Sequence, residues 1–177
     1  MKLLKFPLLL SLSTLLTVSA SAAEILLSTE WGETFDGAAI RYTPTGEQDN
    51  KQLVISIDHS MSGKQRIYFD LYYVKGINKD ICSYGAKPPE ITSNIVFNGQ
   101  AIEMIRFCNQ SLYNGYTYSS YTPASQEELD VLLNIFFNAT KPVKLKLDND
   151  TILLPIIGFT QTWNNAGGDA NFGLSSS

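Results

Sequence analysis

The chain has 177 residues, 44% of them hydrophobic, with 17 acidic side chains against 13 basic ones and a single histidine, for a net charge of −4 at pH 7. That balance argues against nucleic acid and anionic membrane surfaces as partners, and one histidine leaves no His-rich metal centre. Two cysteines permit one disulfide at most.

Residues 1–22 read as a secretory signal of bacterial type. Lys2 and Lys5 form a positive start, Leu8 to Val18 is apolar apart from Ser and Thr, and Ala20-Ser21-Ala22 is a small-residue cleavage site. The apolar run is short for a membrane span. Cleavage after Ala22 leaves 155 residues with 11 basic and 17 acidic side chains, a net charge of about −6. That length suits one domain. The expected division is a signal at 1–22, a single β-rich domain at 23–163 and a flexible Gly/Asn/Ser-rich tail at 164–177. An exported chain is expected in the periplasm or secreted, without a membrane span once the signal is removed. There, Cys82 and Cys108 are expected to form a structural disulfide. The loop so closed is worth roughly 3 kcal/mol in the chain-entropy picture.

In chain order, Glu24 to Leu27 reads as a short strand and Ser28 to Asp36 as an acidic loop. Ala38 to Tyr42 is a second strand, ended by Pro44. Gln52 to Asp58 and Arg66 to Lys75 alternate in hydropathy with period two and form a hairpin about His59 to Gly63. In the second of these strands Ile67, Phe69, Leu71 and Tyr73 share one side, and Tyr68, Asp70, Tyr72 and Val74 the other. Gly76 to Pro89 is irregular and carries Cys82.

The centre of the reading is Ile91 to Cys108. Asn98-Gly99 between two β-prone runs signals a type I′ turn. A two-residue turn sets Phe97 against Gln100, Ile95 against Ile102 and Ser93 against Met104. Both faces of this hairpin are largely apolar, which predicts a central position. Tyr113, Tyr116, Tyr118 and Tyr121 follow, either as an exposed binding loop or as a Tyr-rich edge strand. Ser125 with Glu128 three residues on is a capping box. It opens a helix over about 126–138, expected to be buried over most of its girth through Leu129, Leu132, Leu133 and Phe136, widened by Val131, Ile135 and Phe137. Val143 to Leu147 and Thr151 to Ile157 form a third hairpin about Asp148-Asn149-Asp150. Gly158 to Trp163 is a last short helix or turn. The fold class is mainly β: a β-sandwich or open barrel of about six to eight antiparallel strands with one covering helix.

Few residues carry a catalytic signature. His59 lies between Asp58 and Ser60, but neighbours on a strand point to opposite faces, so these three do not converge as a triad. Asp148-Asn149-Asp150 begins like a calcium loop, yet Leu153 and Phe159 stand where that loop needs Gly and Glu. A turn explains it. Neither a metal nor a cofactor is expected. A carboxylate hydrolase would have to draw on Glu30, Glu33, Asp36 or Asp70. Tyr113, Tyr116, Tyr118 and Tyr121 are the candidate binding residues, because tyrosine joins a rigid apolar surface to a polar tip.

The run Thr151-Ile-Leu-Leu-Pro155-Ile-Ile-Gly158-Phe159-Thr160-Gln-Thr-Trp163 resembles the closing segment of invasion-associated locus B-type periplasmic proteins, and Gln100 to Cys108 is loosely similar to one of their strands. The chain departs from them in its two cysteines and its tyrosine-rich insertion. The resemblance implies a small exported β-sandwich without catalytic residues, and transfers no site. The function expected is therefore a non-enzymatic exported binding module. A protein partner comes first, of inhibitor, immunity or envelope-interaction type and suited to a basic surface. A glycan or small ligand held by residues 113–121 is the alternative, and a small hydrolase the third reading.

Overall fold

The computed structural model describes residues 23–26, 29–32, 35–44, 51–73, 82, 91–110, 117–147 and 149–166. The signal at 1–22 and the segment from 167 onward lie outside these residues. Nine strands are described: β1 (Ala23–Leu26), β2 (Gly37–Thr43), β3 (Lys51–His59), β4 (Gln65–Tyr73), β5 (Ile91–Phe97), β6 (Gln100–Gln110), β7 (Thr117–Pro123), β8 (Val143–Leu147) and β9 (Asp150–Leu154). Two helices accompany them, α1 (Gln126–Phe137) and α2 (Phe159–Asn165). The fold is mainly β and antiparallel throughout, one sheet in the order β1-β2-β3-β4-β7-β6-β5-β8-β9.

The β5–β6 hairpin has the register that its turn predicts, with Phe97 opposite Gln100, Ile95 opposite Ile102 and Ser93 opposite Met104. Asn98 and Gly99 both take positive φ, 50° and 89°, as a type I′ turn requires. The Asn98 side chain then accepts from the Lys144 backbone N–H at 2.8 Å, which ties the turn to β8. With β7 on one flank and β8 on the other, the hairpin is central.

Phe69 on β4 and Phe97 on β5 have ring centroids 5.3 Å apart. Three strand spacings separate their strands, about 14 Å along a flat sheet. The sheet must therefore curl, in the manner of an open barrel, and its concave side is the core. Ile40, Leu53, Ile55, Ile67, Phe69, Ile102, Met104, Leu145, Ile152 and Leu154 fill that side and are essentially inaccessible. Alternation along each strand puts them all on one face.

Helix α1 covers this concavity. Ser125 caps it by accepting from the Glu128 N–H at 3.1 Å. The Glu128 carboxylate accepts in turn from the Glu103 N–H at 3.2 Å, and so docks the helix start on β6. Its buried stripe is Leu129, Leu132, Leu133 and Phe136. The stripe is narrower than the sequence suggests: Val131 and Ile135 are half-buried and Phe137 is exposed, because the sheet meets only one side of the helix.

A second difference lies at the ends of the chain. The acidic loop before β2 carries Trp31, which is buried rather than solvated. Its ring meets Phe159 edge-on at 4.8 Å and Phe136 at 5.6 Å. Its indole N–H donates to the Pro155 carbonyl at 2.6 Å, and its backbone N–H to the Ile157 carbonyl at 2.8 Å. Gly158 adopts φ of 81°, and a Cβ there would sit 2.6 Å from the Trp31 carbonyl oxygen. Glycine at 158 thus serves the turn and the close approach together. Helix α2 runs to Asn165, two residues past the domain boundary expected at 163.

Candidate functional site

The convex face of the sheet is made differently. On β4, Tyr68, Asp70 and Tyr72 point outward, between the inward Ile67, Phe69 and Leu71. Asp70 stands opposite Ser120 on β7, and Ser120 stands opposite Phe107 on β6. Asn109 pairs with Tyr118 one step further along. The outer face of β4-β7-β6 therefore carries Arg66 and Thr122 toward one end and brings the rings of Tyr68, Tyr72, Tyr118 and Phe107 together with Asp70, Ser120 and Asn109.

These side chains form two aromatic pairs with a polar pair between them. Tyr72 and Tyr118 stack at 4.3 Å with planes inclined by 29°. Tyr68 and Phe107 meet edge to face at 6.4 Å and 89°, reaching across β7 from the strands on either side. Ser120, beneath that span, is 1% exposed and donates its hydroxyl proton to Asp70 Oδ1 at 2.5 Å. Burial pushes the Asp70 carboxyl up to about 6, against which the Ser120 hydrogen bond acts. The Tyr72 hydroxyl is held protonated by burial first, then by its bond to Tyr118 and the nearby Asp70. Burial and Asp70 also push Tyr118 up, opposed by its hydrogen bonds to Tyr72 and Asn109. Tyr68 is raised by burial and by Asp58.

The disulfide lies on the other side of the same strands. Cys82 and Cys108 are joined, with Cα atoms 5.5 Å apart. Cys108 pairs with Ser119 on the concave face, and the Ser119 hydroxyl lies 3.3 Å from Cys82 Sγ. Arg106 donates to the same hydroxyl from Nε (3.2 Å) and Nη2 (2.8 Å), and its guanidinium sits 5.7 Å from the Tyr121 ring centre. The cysteines are thus built into the β6–β7 contact.

The candidate tyrosines part company. Thr117–Pro123 is neither a loop nor an edge strand but β7, held between β4 and β6. Tyr118 points out and is half-buried against Tyr72, whereas Tyr121 points inward and is buried. Tyr113 and Tyr116 lie outside the described residues. Sequence reading missed Tyr68, Tyr72 and Phe107 as companions of Tyr118. The outward row Tyr68-Asp70-Tyr72 on a strand whose other side carries Ile67, Phe69 and Leu71 was the signal that pointed to them.

Of the carboxylates, Glu30 and Asp36 are exposed on the loop that carries Trp31, while Asp70 stands on the convex face. Glu33 is not among the described residues. Asp58 Oδ1 accepts from the His59 backbone N–H at 2.7 Å, a turn contact at the end of β3. Asp150 pairs with Leu147 across the β8–β9 turn. Among the described residues no three of His, Cys, Asp and Glu gather as metal ligands, and no helix is long and apolar enough to cross a membrane. Compared with known proteins, the chain matches no family model, no curated protein and no solved structure.

Proposed function

We propose that this protein is an exported, non-enzymatic binding module that takes a protein partner on the convex face of β4-β7-β6. The observation that carries the reading is the group formed by Tyr72 and Tyr118, Tyr68 and Phe107, and the Asp70–Ser120 pair. Half-buried rings with polar tips are what protein interfaces favour, since they offer a large contact area and lose little rotamer freedom on binding. The concave face holds the buried core and is covered by α1. The Cys82–Cys108 disulfide suits an oxidising compartment, the periplasm or the exterior. The acidic chain suits a basic partner, of inhibitor, immunity or envelope-interaction type.

The test is affinity capture from cell-envelope extract with the signal-cleaved protein, followed by reconstitution with the purified partner. Tyr118→Ala and Phe107→Ala are expected to weaken the complex by about tenfold or more each, while Leu153→Ala, on β9 far along the sheet, leaves it unchanged. A complex indifferent to both aromatic changes overturns the assignment of the face. A glycan that binds with the same Tyr118 dependence, in the absence of any protein partner, replaces the partner class.

A further inference from the structure

Among the described residues the Asp70 carboxylate on the convex face has a single hydrogen bond, from Ser120, while two arginine nitrogens toward the edges of that face, Arg41 Nε and Arg66 Nη1, are buried without one. Asp70 is half-buried on β4 between Tyr68 and Tyr72, two residues to either side on the same face, with Ser120 across on β7 and Val54 across on β3. Ser120 supplies one hydrogen bond to Oδ1, and the charge on the carboxylate has no cation against it among the described residues. The titratable groups on the packed strands can be named. Tyr68, Tyr72 and Tyr118 are held neutral. Asp58 and Arg66 lie further toward the β3–β4 turn, where they act on the Tyr68 hydroxyl. Arg41 is on β2, beyond Gln52 of β3. None of these charges contributes to the shift of Asp70, whose causes are burial and Ser120.

A half-buried carboxylate edged by aromatic rings has a chemical complement. A guanidinium or ammonium group satisfies the carboxylate and is drawn to the ring faces by their quadrupole. A neutral sugar hydroxyl would meet the first need only in part and leave the charge. We infer that Asp70, with Tyr68, Tyr72, Tyr118 and Phe107 around it, is the receptor for a basic side chain, an arginine or lysine that anchors the protein partner to this face. The inference rests on the binding role proposed above and names the partner's anchoring chemistry. The Ser120 hydroxyl holds Asp70 Oδ1 in place, so a charged partner group meets a carboxylate already oriented.

The test uses the signal-cleaved chain with ¹³C-labelled aspartate, and n-butylguanidinium as the probe. The neutral n-butylurea, at matched ionic strength, is the control. The cation is expected to lower the Asp70 midpoint by about one unit or more, equivalent to about a tenfold preference for the ionised form. It also shifts the ring resonances of Tyr72 and Tyr118, and n-butylurea does neither. In Asp70→Asn, which keeps the side-chain shape and an acceptor for Ser120, the cation's ring shifts are lost. An Asp70 midpoint unmoved by the cation overturns the inference, and so do ring shifts that persist in Asp70→Asn. A chain that keeps a Tyr118-dependent partner yet ignores n-butylguanidinium retires the cationic anchor and retains the face. A chain that binds the cation but loses no partner on Tyr118→Ala does the reverse.

Discussion

One sheet carries two faces made to different specifications, and β4 shows both in alternate residues. Inward, Ile67, Phe69 and Leu71 belong to the buried apolar core. Outward, Tyr68, Asp70 and Tyr72 are half-buried, Tyr68 against Phe107, Asp70 bonded to Ser120 and Tyr72 stacked on Tyr118. The concave side is a burial problem, for which alternation and volume suffice. The convex side holds a carboxyl that burial disfavours, an arrangement that stability alone does not call for. The contrast separates a face filled for burial from one that mixes rings with a carboxyl and a hydroxyl.

Truncation on each side should sharpen that contrast most. Phe136→Ala removes a ring that stacks on Phe159 and meets Trp31. It is expected to cost about 3–5 kcal/mol of unfolding free energy, whereas Tyr118→Ala on the convex side costs about 1–2 kcal/mol. Urea unfolding of the two variants measures both, and equal losses would abolish the distinction. Next comes the disulfide on the concave side: Cys82→Ser is expected to lose about 3 kcal/mol, and wild type in reductant should unfold at the variant's midpoint.

The pH dependence then probes the convex side alone. The folded Asp70 midpoint, about 6, lies above its ordinary value of 3.8. Between the two the native state holds the proton more tightly than the unfolded chain does. Stability is therefore full below pH 4, falls as pH rises through 6, and is flat beyond. The fall attributable to this group is about 3 kcal/mol. Melting temperatures from pH 4 to pH 8 should show it in wild type and not in Asp70→Asn, which is expected to match or exceed wild type at pH 7. The smallest effect belongs to the concave side's cover: Ser125→Ala removes the α1 cap and costs about 1 kcal/mol, with Ser125→Asp restoring it.

Most of the strand architecture was legible because period-two hydropathy survives wherever one side is buried. Asn98-Gly99 even specified the register of Ile95, Phe97, Ile102 and Met104. The helix was legible from Ser125 and its leucines, but its exposed Phe137 was not, since the extent of a buried stripe depends on the shape of the surface it meets. Trp31 was hidden because its immediate neighbours are polar, and only the turn at Gly158 makes room for it. The candidate site was half-legible. Tyr118 stands out in a tyrosine-rich run, but its partners Tyr72, Asp70 and Phe107 come from β4 and β6, and strand order is not written in local pattern. Reading the described part of that run, residues 117–121, as a loop or an edge failed for that reason: β7 is inserted between strands far from it in sequence.

The Trp31 indole and its acceptor at Pro155 are separated by 124 positions. Closing so long a loop costs only modestly more than closing a short one, but contacts of this span form late. While the chain is being made, Trp31 emerges early and must wait for Pro155, Ile157 and Phe159 before it has anything to hold. The β3–β4 hairpin can assemble in the meantime, yet the concave side stays unsealed until the last tenth or so of the polypeptide is available. Ribosome-bound chains that stop short of Gly158 should therefore remain sensitive to protease, and chains that reach Ala166 and clear the exit tunnel should abruptly become resistant.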